Sequence, residues 1–85
     1  MYKVRAGNKK IQKKLEEYIR IRNDIKDKLV RLGINPRKET GAHPLHGDLT
    51  GKWACWLGSN IRMIYIIDNK DKEVKILGIG THNIY

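Results

Sequence analysis

The apolar positions change period twice along the chain. Residues 2–6, Tyr-Lys-Val-Arg-Ala, alternate and predict a short strand. Gly7–Asn8 breaks the alternation, and Asn8 is placed to cap a helix. From Lys9 the spacing becomes helical. Ile11, Leu15, Tyr18, Ile19, Ile25, Leu29 and Leu32 form a stripe whose opposite face is charged. The stretch Arg20–Asp24 has weaker propensity and Asp24 is a candidate cap, so one long helix or two joined by a tight turn both satisfy the pattern. Gly33 stands where the residue just beyond a helix end is expected, and Asn35–Pro36 follows as a stop.

Residues 34–50 read as a polar loop punctuated by Gly41, Pro44 and Gly47. The period then falls to two. "KWACWLG" (52–58) predicts a strand, Gly58–Ser59–Asn60 a tight connection, and "IRMIYIID" (61–68) the strongest strand of the chain. Asn69–Lys72 is a hairpin turn, "EVKILGIG" (73–80) the next strand, and residues 81–85 a tail. The expected class is α+β in a single domain spanning residues 1–85. A short N-terminal strand and one or two helices precede a three-strand antiparallel meander, and the helical stripe packs on one face of the sheet.

Strand alternation assigns faces. Trp53 and Trp56 are three apart, so they point to opposite sides, and one of them belongs to a binding face rather than the core. Tyr65 shares a side with Ile61, Met63 and Ile67 and is expected in the core. Arg62 shares the other side with Ile64 and Ile66.

Charge narrows the partners. The 85 residues hold 18 Lys and Arg against 9 Asp and Glu, a formal net charge of +9. So dense a positive field favours a polyanion: nucleic acid, an anionic membrane or an acidic protein. A chain this short buries only about 60–65% of its unfolded surface, so a shallow groove is expected instead of a deep pocket. The lone cysteine, Cys55, excludes an intrachain disulfide and a cysteine-based zinc site, which fits a reducing compartment. No apolar run reaches membrane-spanning length and the N-terminus has no secretory h-region, so the cytoplasm is the expected location.

Candidate chemistry rests on few residues. His43, His46 and His82 are the groups able to move protons near neutral pH. They form no HxH or HxxxH pair, and no metal or other cofactor is expected. Arg62, an isolated charge on an apolar strand, calls for a carboxylate or phosphate partner. Trp56 and Tyr85 are candidates for stacking on nucleobases.

Taken in order, these motifs resemble the RelE/ParE superfamily of toxins from toxin–antitoxin pairs. The pattern is Leu45-x-Gly47-x-Leu49-x-Gly51-x-Trp53 leading into a strand, Arg62-x-Ile64-Tyr65 within a strand, and Gly80-x-His82 at the end of the last strand. Asn35–Pro36–Arg37 after a helix is also typical, and the resemblance covers nearly the whole chain. "HPLHG" and "GTHNIY" look most like the YafQ-type branch. The resemblance implies a RelE-like fold and a ribosome-dependent endoribonuclease that cuts translated mRNA and is neutralised by a cognate antitoxin. It implies catalytic roles for His43, His82 and Arg62, and RNA contacts from Lys52, Trp56, Tyr85 and, more weakly, His46. In this chain Trp56 stands near the branch's middle histidine, while Asn60 and Gly78 stand where relatives carry charged residues. Two alternatives stay open: a toxin of the same fold that poisons DNA gyrase, and a basic binding module without catalysis.

Overall fold

Where the first alternation stops, the chain turns into a helix. In the computed structural model, which describes residues 1–58 and 60–81, β1 (Lys3–Ala6) ends at Gly7, and the Asn8 side chain accepts the Ile11 amide at 2.9 Å. That bond satisfies one of the orphan amides of the first helical turn. Two helices follow, α1 (Lys9–Ile21) and α2 (Asp24–Ile34). Asp24 does not cap the second. It is the first residue of α2, and its carboxylate takes Arg22 at 3.1 Å and Lys28 at 3.4 Å, while Asn23 at the cap position makes no side-chain cap bond.

Gly33 also departs from expectation. It lies inside the last turn of α2, buried, and its carbonyl accepts the Tyr2 amide at 2.7 Å. A Cβ there would stand 2.8 Å from the Tyr2 carbonyl oxygen. The glycine serves close approach of two backbones and does not end the helix.

The meander consists of β3 (Trp53–Trp56), β4 (Arg62–Asp68) and β5 (Glu73–Gly80). Two additions complete a five-stranded mixed sheet of order β1-β5-β4-β3-β2. β1 pairs parallel with β5, and the two helices carry the chain from β1 to the opposite edge of the sheet, where β2 begins. The other addition lies in the stretch read as loop. Residues 34–50 contain 3₁₀ turns at Glu39–Gly41 and Gly47–Leu49, and between them β2 (His43–Pro44), which pairs with β3. Two residues are too few to show alternation. β2 is an edge strand, so Pro44 costs it no ladder bond on its outer side.

Both helices cover one face. Met63 and Tyr65 of β4, Val74, Ile76 and Ile79 of β5 and Cys55 of β3 form one buried cluster with Ile11, Ile25 and Leu32. Trp53 packs against this cluster from the edge. The buried Tyr65 hydroxyl donates to the Pro36 carbonyl at 2.7 Å, tying β4 to the turn after α2. Burial raises this phenol above its ordinary range. A bulge between Ile64 and Tyr65 pairs Ile64 with Gly78 but Tyr65 with Ile76, leaving Leu77 over. The strand's phase therefore flips. Ile76 and Ile79, three apart, both enter the core, and Gly78 and Gly80 move to the opposite face.

Candidate functional site

Among the described residues, no helix covers the other face of the sheet. Strand register arranges its side chains in rows, because cross-strand partners point the same way. One row runs His43, Ala54, Ile64, Gly78 and the next Trp56, Arg62, Gly80. A third holds Ile66, Lys75 and Arg5. Lys52, half-buried and one residue before β3, falls on this side by the same alternation.

The Arg62 guanidinium lies over the Trp56 ring, 4.3 Å from its centroid. The isolated strand arginine thus has a cation–π partner on the neighbouring strand. Trp56 is held in turn. An ideal Cβ on Gly41 would come within 3.3 Å of Trp56 Cδ1, so the indole edge packs where only a glycine leaves room. Gly41 has a φ of +69°, which glycine adopts without strain. Its carbonyl lies 3.1 Å from His43 Nδ1. A carbonyl oxygen only accepts, so this contact is a hydrogen bond in the tautomer with the proton on Nδ1, which leaves the Nε2 lone pair of the neutral ring available.

A continuous set of contacts therefore joins the cation to the imidazole: Arg62 on Trp56, Trp56 against Gly41, Gly41 to His43. By strand spacing the two Cα atoms are about 12 Å apart, two strands across and two residues along. The Trp56 stack draws the guanidinium toward β3 and shortens that gap. Chemically, such a face offers a proton acceptor and a fixed cation to an extended anionic chain.

The remaining expected residues are distributed differently. His46 is exposed at the start of the 3₁₀ turn Gly47–Leu49, beyond the end of β2. His82 and Tyr85 lie outside the described residues. In sequence His82 follows Gly80, Arg62's partner on β5, by two positions.

Three features of this face escaped sequence reasoning. Gly41 looked like any loop glycine, since its role depends on a tryptophan fifteen positions away. Arg5 and Lys75 are register partners, two cations side by side on the open face. Glu73 neutralises Arg5 in part, at 3.2 Å. The alternation of β1 and β5 was visible, but their parallel pairing was not.

One carboxylate group has metal-like spacing. Asp68, Asp71 and Glu73, at the β4–β5 turn, bring their oxygens within 4.8 Å of one another. Two of these carboxylates already have partners. Asp68 Oδ1 accepts the Lys70 and Asp71 amides, both at 3.0 Å, and Glu73 pairs with Arg5. Among the described residues, no helix is long and apolar enough to cross a membrane.

By sequence, the chain matches no protein-family model and no curated protein. By structure it is similar to a YoeB/ParE toxin from Agrobacterium tumefaciens, with a TM-score of 0.72, 20% identity, and 94% of this chain and 98% of the other covered. It is similar to a chain of a heterotetrameric YoeB–YefM toxin–antitoxin complex from Staphylococcus aureus, with a TM-score of 0.73, 15% identity and coverage of 96% and 98%. It is also similar to a YafQ mutant from E. coli, with a TM-score of 0.64, 17% identity and coverage of 96% and 94%. The fold is that of the RelE/ParE-type toxins: two helices on one face of a mixed five-stranded sheet.

Proposed function

We propose that this protein is the toxin of a type II toxin–antitoxin pair and acts in the cytoplasm as a ribosome-dependent endoribonuclease on translated mRNA. The observation that carries the reading is the contact path Arg62–Trp56–Gly41–His43 on the cation-bearing sheet face that, among the described residues, no helix covers. Similarity to toxins, one of them in a toxin–antitoxin complex, supports the same reading and a cognate antitoxin as partner.

The reaction needs no metal or cofactor. A ribose 2′-hydroxyl attacks the adjacent phosphorus, and the P–O5′ bond breaks, giving a 2′,3′-cyclic phosphate and a 5′-hydroxyl. A base must remove the 2′ proton, an acid must protonate the departing 5′-oxygen, and cations must stabilise the phosphorane. His43 Nε2 is the base and His82 the acid. Arg62 clamps the phosphate with help from Lys52. Trp56 fixes Arg62 and stacks on a base. Tyr85 provides a second stacking surface, and His46 flanks the RNA path.

Primer extension on a translated message after induction tests this. The wild type produces new 5′ ends within the coding sequence, and His82→Ala and Arg62→Ala remove them. A DNA-damage response without mRNA cleavage would replace this reading with gyrase poisoning. Growth arrest undiminished by His82→Ala would remove that residue from catalysis.

A further inference from the structure

Two consecutive residues of positive φ lead into the strand that carries His43. Thr40 has φ +56° and ψ +33°, and Gly41 follows at φ +69°. Glycine enters this region freely, whereas a β-branched residue there is an outlier. Among the described residues the other non-glycine with positive φ is Lys72, which closes the β4–β5 turn, where such a residue is ordinary. Strain of the Thr40 kind persists only where neighbouring contacts impose it, and it gathers where geometry serves function.

Two contacts impose it here. The Thr40 hydroxyl donates to the Glu39 carbonyl at 2.6 Å, and the same carbonyl accepts the Ala42 amide at 3.1 Å. The Thr40 side chain is also within hydrogen-bond reach of the buried Cys55 thiol on the core side of β3. Thr40 is therefore anchored toward the core, while Gly41 faces the other way. The Gly41 Cβ position stands 3.3 Å from Trp56 Cδ1, and its carbonyl lies 3.1 Å from His43 Nδ1. If Thr40 relaxed to negative φ, the Thr40–Gly41 peptide would turn and carry that carbonyl off Nδ1. In a neutral imidazole the hydrogen bond made at one nitrogen decides which nitrogen holds the proton.

We propose that Thr40 is a positioning residue. Its left-handed backbone holds the Gly41 carbonyl on His43 Nδ1, so that neutral His43 carries its proton on Nδ1 and presents Nε2 as the acceptor. The use of that acceptor in RNA cleavage rests on the proposed function; the tautomer does not.

The test is long-range ¹H–¹⁵N correlation of the imidazoles in the full labelled chain at about pH 8.5, where neutral histidine dominates. The His43 signals are assigned by their loss in His43→Gln. The wild type should show the Nδ1–H form. Thr40→Val removes the hydroxyl at nearly constant size, and the Nε2–H form should gain. Thr40→Ser restores the hydroxyl and should restore the wild-type pattern. Circular dichroism checks each fold, and Thr40→Ala takes the place of Thr40→Val if the valine variant does not fold. Message cleavage, scored beside the spectra, should fall roughly tenfold in Thr40→Val and recover in Thr40→Ser. A wild type with the proton on Nε2 overturns the proposal, as does a tautomer unmoved by Thr40→Val. A moved tautomer with cleavage unchanged supports the positioning role and ends the role of His43 as base. Absence of cleavage by the wild type ends the nuclease reading alone, and the spectra still decide the role of Thr40.

Discussion

The Arg62 guanidinium rests 4.3 Å above the centroid of Trp56, a residue that is also its register partner on β3. The pair turns a long flexible cation into a fixed one. A cation–π contact at a partly exposed site contributes about 0.5–2 kcal/mol. Trp56→Ala should therefore lower message cleavage by about tenfold, and Trp56→Phe by less. Arg62→Lys should not rescue activity, because the ammonium has neither the planar stack nor the bidentate fork. Cleaved and intact reporter message, quantified after a fixed induction, separates these variants.

Gly41 and Gly47 form a matched pair for a second measurement. Their φ values are +69° and +67°, but only Gly41 has an atom near its missing Cβ, Trp56 Cδ1 at 3.3 Å. Alanine at either site costs about 1–2 kcal/mol from the left-handed backbone. Gly41→Ala should also displace the indole and reduce message cleavage. Urea denaturation of both variants beside the cleavage assay isolates the Trp56 effect as the difference between them.

Tyr65→Phe removes the hydroxyl that donates to the Pro36 carbonyl at 2.7 Å in a buried setting. The carbonyl is left without that donor, so the loss should be about 1–3 kcal/mol. A lowered midpoint in chemical denaturation with an unchanged slope is the expected result.

Alkaline stability should follow Cys55. Burial pushes its thiol from about 9 up to about 11. The unfolded chain therefore ionises first. Stability is unaffected below pH 9 and falls as pH rises from 9 to 11, by as much as about 3 kcal/mol. Tyr65, whose phenol is raised by the same burial, extends the loss to higher pH. Denaturation midpoints from pH 8 to 11 should decline in the wild type and decline less in Cys55→Ala. At pH 8 the native thiol should resist alkylation.

The strand and helix periods were legible because burial on one face writes directly into spacing. Tyr65 beside Met63, Trp53 split from Trp56, and Arg62 beside Ile64 all follow from alternation alone. Gly33 was misassigned because a glycine inside a helix looks the same in sequence as one beyond its end; the Tyr2 backbone, thirty-one positions away, decides between them. β2 was missed because two residues carry no period.

From its order of residues alone, this chain determined an α+β class, the antiparallel meander, the core side of β4 and a strong cationic field, because each depends on local spacing or on summed charge. Only tertiary structure decided that β1 lies parallel to β5, that the Ile64–Tyr65 bulge turns Gly78 and Gly80 outward, and that Gly41 seats Trp56 beneath Arg62. Those outcomes depend on contacts between distant segments, where the approach of one backbone to another sets which side chain fits, and no local period records it.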